Sequence, residues 1–550
     1  MVGLNKRREE ELSDPVLTRM VEEDKVIWYK KSNLRFLYLM LFPACMAIES
    51  TSGFDSQIIN TVQIVPSWQK YFGRATGKIL ADGALEYAVE ENLKGFLGAA
   101  YNLGAILALP FVPWLNQKYG RRWSVMFGSA LSIVGAILQG FSNGVASYIV
   151  ARMLLGFGIP FCIIAGAAMI GELGYPKERP ILTSLFNASY GVGQIIAASI
   201  ALGTVNIPND WAWRIPSLLQ IVPSTIQICF IFFIPESPRY LISKDRNDEA
   251  YAILVKYHAE GDRDSIFVKA EMAQIEATLK IEMEVAKQSW LDLFKTSGMR
   301  RRLLITSFLG LFTQWSGNTL ISYYLNDLLS LVGITDKIVK SKINVGIACW
   351  GFVCGIACAL TAARFKRRKV YLTCVCCLLL IYSGWTVSME RYLNTKAHAA
   401  AVMTIFFIFI YSPAYTLGYN ALTYTYLVEI FPYAERSRGI AWFQFFGKGA
   451  GFFATYVNPI GLARIAWKWL LVYCVWLMFE IVFIYFLFPE TYGRTLEELS
   501  FLFEGSDKAE RAVIAVEKQI DGGKGEAEES KGGESMHIEE TKTRDSKSVA

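Results

Sequence analysis

Histidine is almost missing: there are three in 550 residues, His258, His398 and His537, and none lies mid-way along an apolar run. A histidine-based metal centre and an imidazole proton relay inside an apolar core are therefore excluded. Charge is sparse too, at 19% of residues against 53% hydrophobic, with a mean hydropathy of +0.30, too apolar for a water-soluble chain of this length. The net charge of +6 is small for 550 residues, and no basic block calls for nucleic acid. The ten cysteines lack zinc-type spacing and sit in apolar runs (Cys374, Cys376 and Cys377 among them), so they are packing residues. No nucleophile–base pair, metal cluster or phosphate-cradling loop appears, which excludes an enzyme and leaves no cofactor to hold. A cleavable secretory signal is also missing. The charged stretch to about Asn33 has no apolar core, so the first apolar span is expected to act as the insertion signal.

What is abundant is apolar sequence long enough to cross a bilayer, which takes about 20 residues per helix. Such spans recur at 35–62, 93–114, 123–142, 146–170, 181–205 and 213–234, and again near 303–332, 342–363, 370–389, 399–428, 439–462 and 469–488. The expectation is an all-α membrane protein of about twelve transmembrane helices in two six-helix bundles. A tail (1–34), a first bundle (35–235), a linker with short helices (236–302), a second bundle (303–488) and a second tail (489–550, disordered after about 521) divide the chain. Lysine and arginine collect after the second, fourth, eighth and tenth spans, as in Lys118, Arg121, Arg122, Lys177, Arg179, Arg364 to Lys369, Arg436 and Arg438. This places those loops, the linker and both tails in the cytoplasm.

The halves echo each other. Gly120-Arg121-Arg122 matches Lys366-Arg367-Arg368, Glu172 and Arg179 match Glu429 and Arg436, and Pro235-Glu-Ser-Pro-Arg239 matches Pro489-Glu-Thr-Tyr-Gly-Arg494. Parallel six-helix repeats make a carrier that rocks about a mid-membrane site. The seventh span contains the densest polar patch, Thr313-Gln-Trp-Ser-Gly-Asn-Thr319. In lipid such side chains must face a cavity or another helix. Gly317 permits unwinding, and the spacing of Gln314 and Asn318 puts both amides on one helical face. Amides suit a hydroxyl-rich neutral solute, and they equally suit helix–helix hydrogen bonding.

Arg152-x-x-x-Gly156-x-Gly158, Trp213-Arg-Ile-Pro216, Pro235-Glu-Ser-Pro-Arg239, Glu429-Ile-Phe-Pro432 with Arg436, and Pro489-Glu-Thr-x-Gly-Arg-Thr-Leu-Glu-Glu-Leu499 resemble the sugar porter family of the major facilitator superfamily over roughly residues 35–500. The Gln314-Trp-Ser-Gly-Asn318 stretch and Lys256-Tyr-His-Ala-Glu-Gly-Asp262 look more narrowly like fungal lactose-permease and hexose-transporter-like members. The chain departs from the family pattern at Gln117, Ala363, Lys366, Thr313, Thr319, Tyr424 and Gly447-Lys448.

The resemblance implies import of a neutral sugar, a disaccharide or a hexose, by alternating access. It implies proton symport through Asp55 with Arg152 as its partner, in a monomer of the plasma membrane whose partners are sugar, proton and lipid. A facilitative uniporter and a sugar receptor that signals without transport remain alternatives. Asn187 and Gln194 match family positions that bond sugar hydroxyls. Gln314, Asn318, Thr319, Tyr323 and Tyr424 join them as substrate-binding candidates, and Tyr324 offers another ring face. Arg121, Arg122, Glu172, Arg179, Glu236, Arg239, Glu429 and Arg436, with Arg494, are read as the inner gate, pairing as Glu172/Arg179 and Glu429/Arg436. Two further expectations concern charges in the spans: helical rise puts Lys448 and Glu480 both near mid-depth, where they pair, and Glu49, early in the first span, lies nearer solvent.

Overall fold

The computed structural model describes residues 28–79, 85–286, 293–362, 365–431 and 435–492. Residues 1–27 and 493–550 of the two tails, Arg494 among them, and Ala363 and Pro432 lie outside the described residues. Twelve helical rods run in sequence: α1 (Ser32–Val62), α2 (Glu91–Ala108, continued after a 51° bend by Phe111–Tyr119), α3 (Arg121–Gly140), α4 (Val145–Leu173), α5 (Arg179–Thr204), α6 (Trp211–Ile231), α7 (Ser297–Trp315 continued by Asn318–Leu331), α8 (Lys337–Ala362), α9 (Arg367–Thr395), α10 (His398–Ile430), α11 (Arg436–Ile465) and α12 (Lys468–Leu487). Among the described residues nine of these are long and apolar enough to cross a membrane by themselves, and bent α2 makes a tenth. The remaining two, α7 and α11, are the rods that carry Gln314, Asn318 and Asp327 and Gln444, Lys448 and Asn458. Large apolar side chains stay on the outside, Leu380 and Phe486 each 72% exposed. Polar Asp55, Arg152, Asn344 and Glu480 are buried. That inversion of a water-soluble protein is what a lipid surround requires.

Close helix packing runs through glycine, because lipid offers no hydrophobic drive between helices and backbones must approach closely instead. Gly53 and Gly193 seat α1 on α5, Gly104 and Gly156 seat α2 on α4, and Gly310 meets Gly447 between α7 and α11. Between halves, α2 packs on α11, where Gly95 meets Tyr456, and α5 packs on α8, where Gly191 meets Phe352. Exchanging the halves, α2 for α8 and α11 for α5, turns one contact into the other, the pattern of a pseudo-twofold repeat.

The ends of the bundle differ. At the linker end, α6 leads into helices Pro238–Ile242, Asn247–His258 and Ile266–Ala286. At the opposite, hairpin end, strands Arg74–Ile79 and Leu85–Ala88 pair antiparallel between α1 and α2. Links between the halves gather at the hairpin end. Asn344 Oδ1 of α8 accepts from Gln57 (2.9 Å) and Asn60 (3.0 Å) of α1, Asn326 of α7 donates to the Asn60 carbonyl, and Lys94 of α2 meets Asp327 of α7 at 2.5 Å. The hairpin end is shut by these contacts.

Candidate functional site

The break in α7 is built by Gly317, whose φ of +101° only glycine adopts cheaply. It ends one helix at Trp315 and starts another at Asn318. Carbonyls orphaned at the break find donors on α10: Tyr415 hydroxyl bonds the Thr313 carbonyl (2.6 Å) and Tyr411 hydroxyl that of Ser316 (3.3 Å). Buried Glu480 of α12 clamps both irregular segments. Its carboxyl lies 2.8 Å from the Ser316 hydroxyl and accepts from Tyr419 (2.8 Å), which stands in the π-turn Thr416–Asn420 of α10. This corrects the Lys448–Glu480 pair. Helical rise gave both residues mid-depth, but azimuth decides partners, and Glu480 turns into the α7/α10 packing. The break also corrects the shared face of Gln314 and Asn318, since spacing by four means one face only within an unbroken helix. Gln314 instead accepts from Thr319 (3.2 Å), and Asn318 accepts from Ser322 (3.3 Å).

Around this break lies a cleft between the halves. On α5, Asn187 and Gln194 occupy the face between Tyr190, whose hydroxyl meets Ser56 of α1 at 2.7 Å, and Gly191, which packs on Phe352 of α8. Both amides therefore point between the bundles, Asn187 exposed and Gln194 half-buried, and neither is engaged by another described residue. Opposite them, Gln314 and Asn102 flank Gly451 of α11, and Tyr424 of α10, 48% exposed, accepts from Gln444 at 2.5 Å. The Tyr323 ring is buried, as is Tyr324, whose hydroxyl is spent on the Thr455 carbonyl (2.5 Å). Tyr324 is thus packing, Tyr323 is buried beside Gly98 of α2, and Tyr424 remains exposed on the cleft side.

Asp55, fully buried in α1, stands beside equally buried Arg152 of α4. Arg152 Nη1 donates to the Asp55 main-chain carbonyl at 3.3 Å, and its guanidinium lies 5.1 Å from the Tyr101 ring centre. Both carboxylate oxygens of Asp55, and Nε and Nη2 of Arg152, lack a hydrogen-bond partner among the described residues. The two are neighbours and not a closed ion pair. Glu49, expected nearer solvent, is half-buried where Asp55 is fully buried, and the charge of Lys448 reaches it from α11.

At the linker end the ion pairs differ from those the seven-residue spacings suggested. Glu172 is held by Arg121 at 3.2 Å and by the Ser237 hydroxyl, while Arg179 turns away to Glu271 at 2.6 Å. The reason is local: α4 ends at Leu173, the chain turns, and α5 starts at Arg179, so the two side chains leave in different directions. In the second half Glu429 is held by Arg367 at 3.1 Å and by Thr491. Arg367 was missed as a candidate, although the echo of Arg121-Arg122 in Arg367-Arg368 carried the signal. Glu236 accepts the backbone N–H groups of Arg121 (3.1 Å) and Arg122 (3.2 Å), capping α3, and Glu490 likewise accepts from Arg367 N (2.9 Å). A side chain on Gly120 would meet the Glu236 carboxyl at 2.6 Å. Arg122 donates to the Phe232 carbonyl (3.2 Å), and Arg239 and Arg436 lie within this same end, on the first linker helix and at the start of α11.

The linker docks through charge. Glu271, buried on helix Ile266–Ala286, takes both Arg179 and His258 (2.7 Å). Burial pushes its carboxyl up, but the imidazole and guanidinium outweigh burial and hold it below the ordinary carboxylate range. Glu260 accepts the N–H groups of Asn33 (3.1 Å) and Leu34 (3.3 Å), capping α1. Sequence reasoning passed over this cluster because its partners are up to 227 positions apart.

Comparison with known proteins agrees with this architecture. The family described as "Sugar (and other) transporter" matches residues 40–503. A high-affinity glucose transporter of Kluyveromyces lactis is 26% identical over 511 residues, covering 89% of each chain, and hexose transporter HXT9 of Saccharomyces cerevisiae is 26% identical over 82% of this chain and 80% of its own. The inward-open xylose transporter XylE of E. coli superimposes with a TM-score of 0.69 at 17% identity, covering 85% of this chain and 99% of that one. A polar cleft at a broken helix between two pseudo-symmetric bundles, under a matching family signature along most of the sequence, places the chain in the sugar transporter family of the major facilitator superfamily.

Proposed function

We propose that the protein carries a neutral sugar across the plasma membrane by alternating access, with a proton, and with both termini in the cytoplasm. The observation that carries the reading is the cleft itself. It brings together unengaged or half-engaged amides of Asn187, Gln194, Gln314 and Asn318, with the Tyr323 and Tyr424 rings, on helices from both halves, beneath a shut hairpin end. Amides supply paired donors and acceptors for hydroxyls, and tyrosine rings cover the apolar face of a pyranose. Coupling rests on Asp55, a buried carboxylate with both oxygens unclaimed beside a guanidinium, which gains and loses a proton as that guanidinium moves. The relatives' names, glucose and hexose transporters, and the solved proton:xylose symporter point to a monosaccharide. The ion pairs Arg121–Glu172 and Arg367–Glu429, with the caps at Glu236 and Glu490, each join residues of one half, so in place of the expected gate they brace each half as a rigid body while the halves move.

Uptake of labelled hexoses, pentoses and disaccharides by cells lacking their own sugar carriers, with the pH of a lightly buffered medium recorded, tests the reading. Saturable uptake with alkalinisation is expected. Uptake that proceeds without alkalinisation and survives an uncoupler removes the proton from the mechanism.

A further inference from the structure

Two opposite charges near mid-membrane have no part in the cycle described above. Lys448 shares its α11 face with Gln444, Gly451 and Thr455. Gln444 bonds Tyr424, Gly451 lies against Asn102 and Gln314, and the Thr455 hydroxyl is 3.4 Å from Asn102. That face, and Lys448 with it, looks into the cleft. Glu49 shares its α1 face with Ser56, which contacts Tyr190 of α5 in the same half, and with Asn60, which contacts Asn344 of α8 across the halves. Both charged side chains are part-accessible, and neither makes a hydrogen bond or a direct ion pair among the described residues. The ionisable groups that act on Glu49 are Lys448 from α11 and the phenols of Tyr190 from α5 and Tyr424 from α10.

We propose that Glu49 and Lys448 meet as an ion pair when the linker end closes over bound sugar, so that occlusion requires both charges or neither. The proposal rests on the transport reading. One charge is fixed to each half, so closing the linker end is the motion that shortens their separation. With the linker end open the cleft admits water, which solvates both groups. Closure expels that water, and a lone ammonium or carboxylate left in a dry interior is disfavoured far more than a joined pair.

Counterflow in proteoliposomes, using a sugar that the wild type exchanges, tests this with E49Q, K448Q, E49Q/K448Q and the swap E49K/K448E. Each single variant should slow exchange by about 100-fold, because closure strands one charge, while the neutral double and the swap recover to within about tenfold of wild type. A double variant no faster than the slower single, or singles that exchange at the wild-type rate, overturns the pair. A second measurement avoids dependence on variant folding: amine labelling of Lys448 in the wild type, read by mass spectrometry. Saturating sugar should protect Lys448 at least fivefold, and protection should be lost in E49Q; unchanged labelling of the wild type overturns the proposal. Absence of counterflow in the wild type overturns the transport reading and the pair with it.

Discussion

A carboxylate at mid-bilayer costs roughly 2.5–3.5 kcal/mol on insertion scales, and neither oxygen of Asp55 has a hydrogen-bond partner among the described residues. Protonation removes that cost, and the Arg152 guanidinium, bound to the main-chain carbonyl of the same residue, is placed to restore the charged form. Asp55→Asn keeps the volume and cannot titrate, so it should abolish uphill accumulation while counterflow persists. Comparing the two assays separates the effects, and wild-type accumulation in the variant takes Asp55 out of coupling. Gln314 does different work. Its Oε1 accepts from Thr319, and the rest of the amide remains for a ligand. A neutral hydrogen bond contributes about 0.5–1.5 kcal/mol, so Gln314→Ala should raise the half-saturation concentration roughly 2- to 12-fold at unchanged membrane abundance. Unaltered half-saturation would return Gln314 to helix packing.

Among elements, α7 is the one whose irregularity is most strongly enforced. Gly317 at φ +101° makes the break, Tyr411 and Tyr415 satisfy its carbonyls, and Glu480 ties it to the π-turn of α10. Gly317→Ala adds a left-handed strain of about 1–2 kcal/mol and drives a methyl into the Tyr382 hydroxyl. A fall in melting temperature is expected, together with loss of uptake; a variant as stable and active as wild type would show that the break is not needed. The linker helix Ile266–Ala286 is held by a carboxylate whose pKa is depressed. By linkage, that contribution to docking is complete above the unfolded carboxylate pKa and disappears as pH falls through the lower folded value. Glu271→Gln leaves Arg179 and His258 without their anion, and breaking a buried pair costs about 3–5 kcal/mol. Protease nicking within residues 259–265 should accelerate at neutral pH, and unchanged nicking would show that the apolar contacts of Tyr175 and Phe267 suffice.

For the molecule as a whole, the hairpin end decides which way the cleft faces. Lys94–Asp327 is part-exposed and contributes no more than about 1 kcal/mol. The Asn344 amide is buried and accepts from two buried donors, each of which costs about 1–3 kcal/mol when stranded. Asn344→Ala should therefore open the hairpin end far more than Lys94→Ala does, read as faster hydrogen exchange at residues 57–62 and 341–348. Equal effects of the two variants would reverse this ranking.

Composition and the length of the apolar spans were sufficient for an all-α membrane fold of about twelve helices, because a helix satisfies its own backbone in lipid and its length follows from the bilayer thickness. The family resemblance named Asp55 and Arg152 as partners, and they stand side by side, while Gly317 announced the break in α7. What spacing misjudged were the partners. Glu172 joined Arg121 and not Arg179, Gln314 and Asn318 fell on separate helices, and Glu480 went to Ser316 and Tyr419 and not to Lys448. Distance along a chain sets depth and face only within one unbroken helix. Across a turn, a break or a bundle interface, the partner is set by how helices rotate and close upon one another, and that is decided by glycine contacts, caps and buried amides acting over separations of up to several hundred residues.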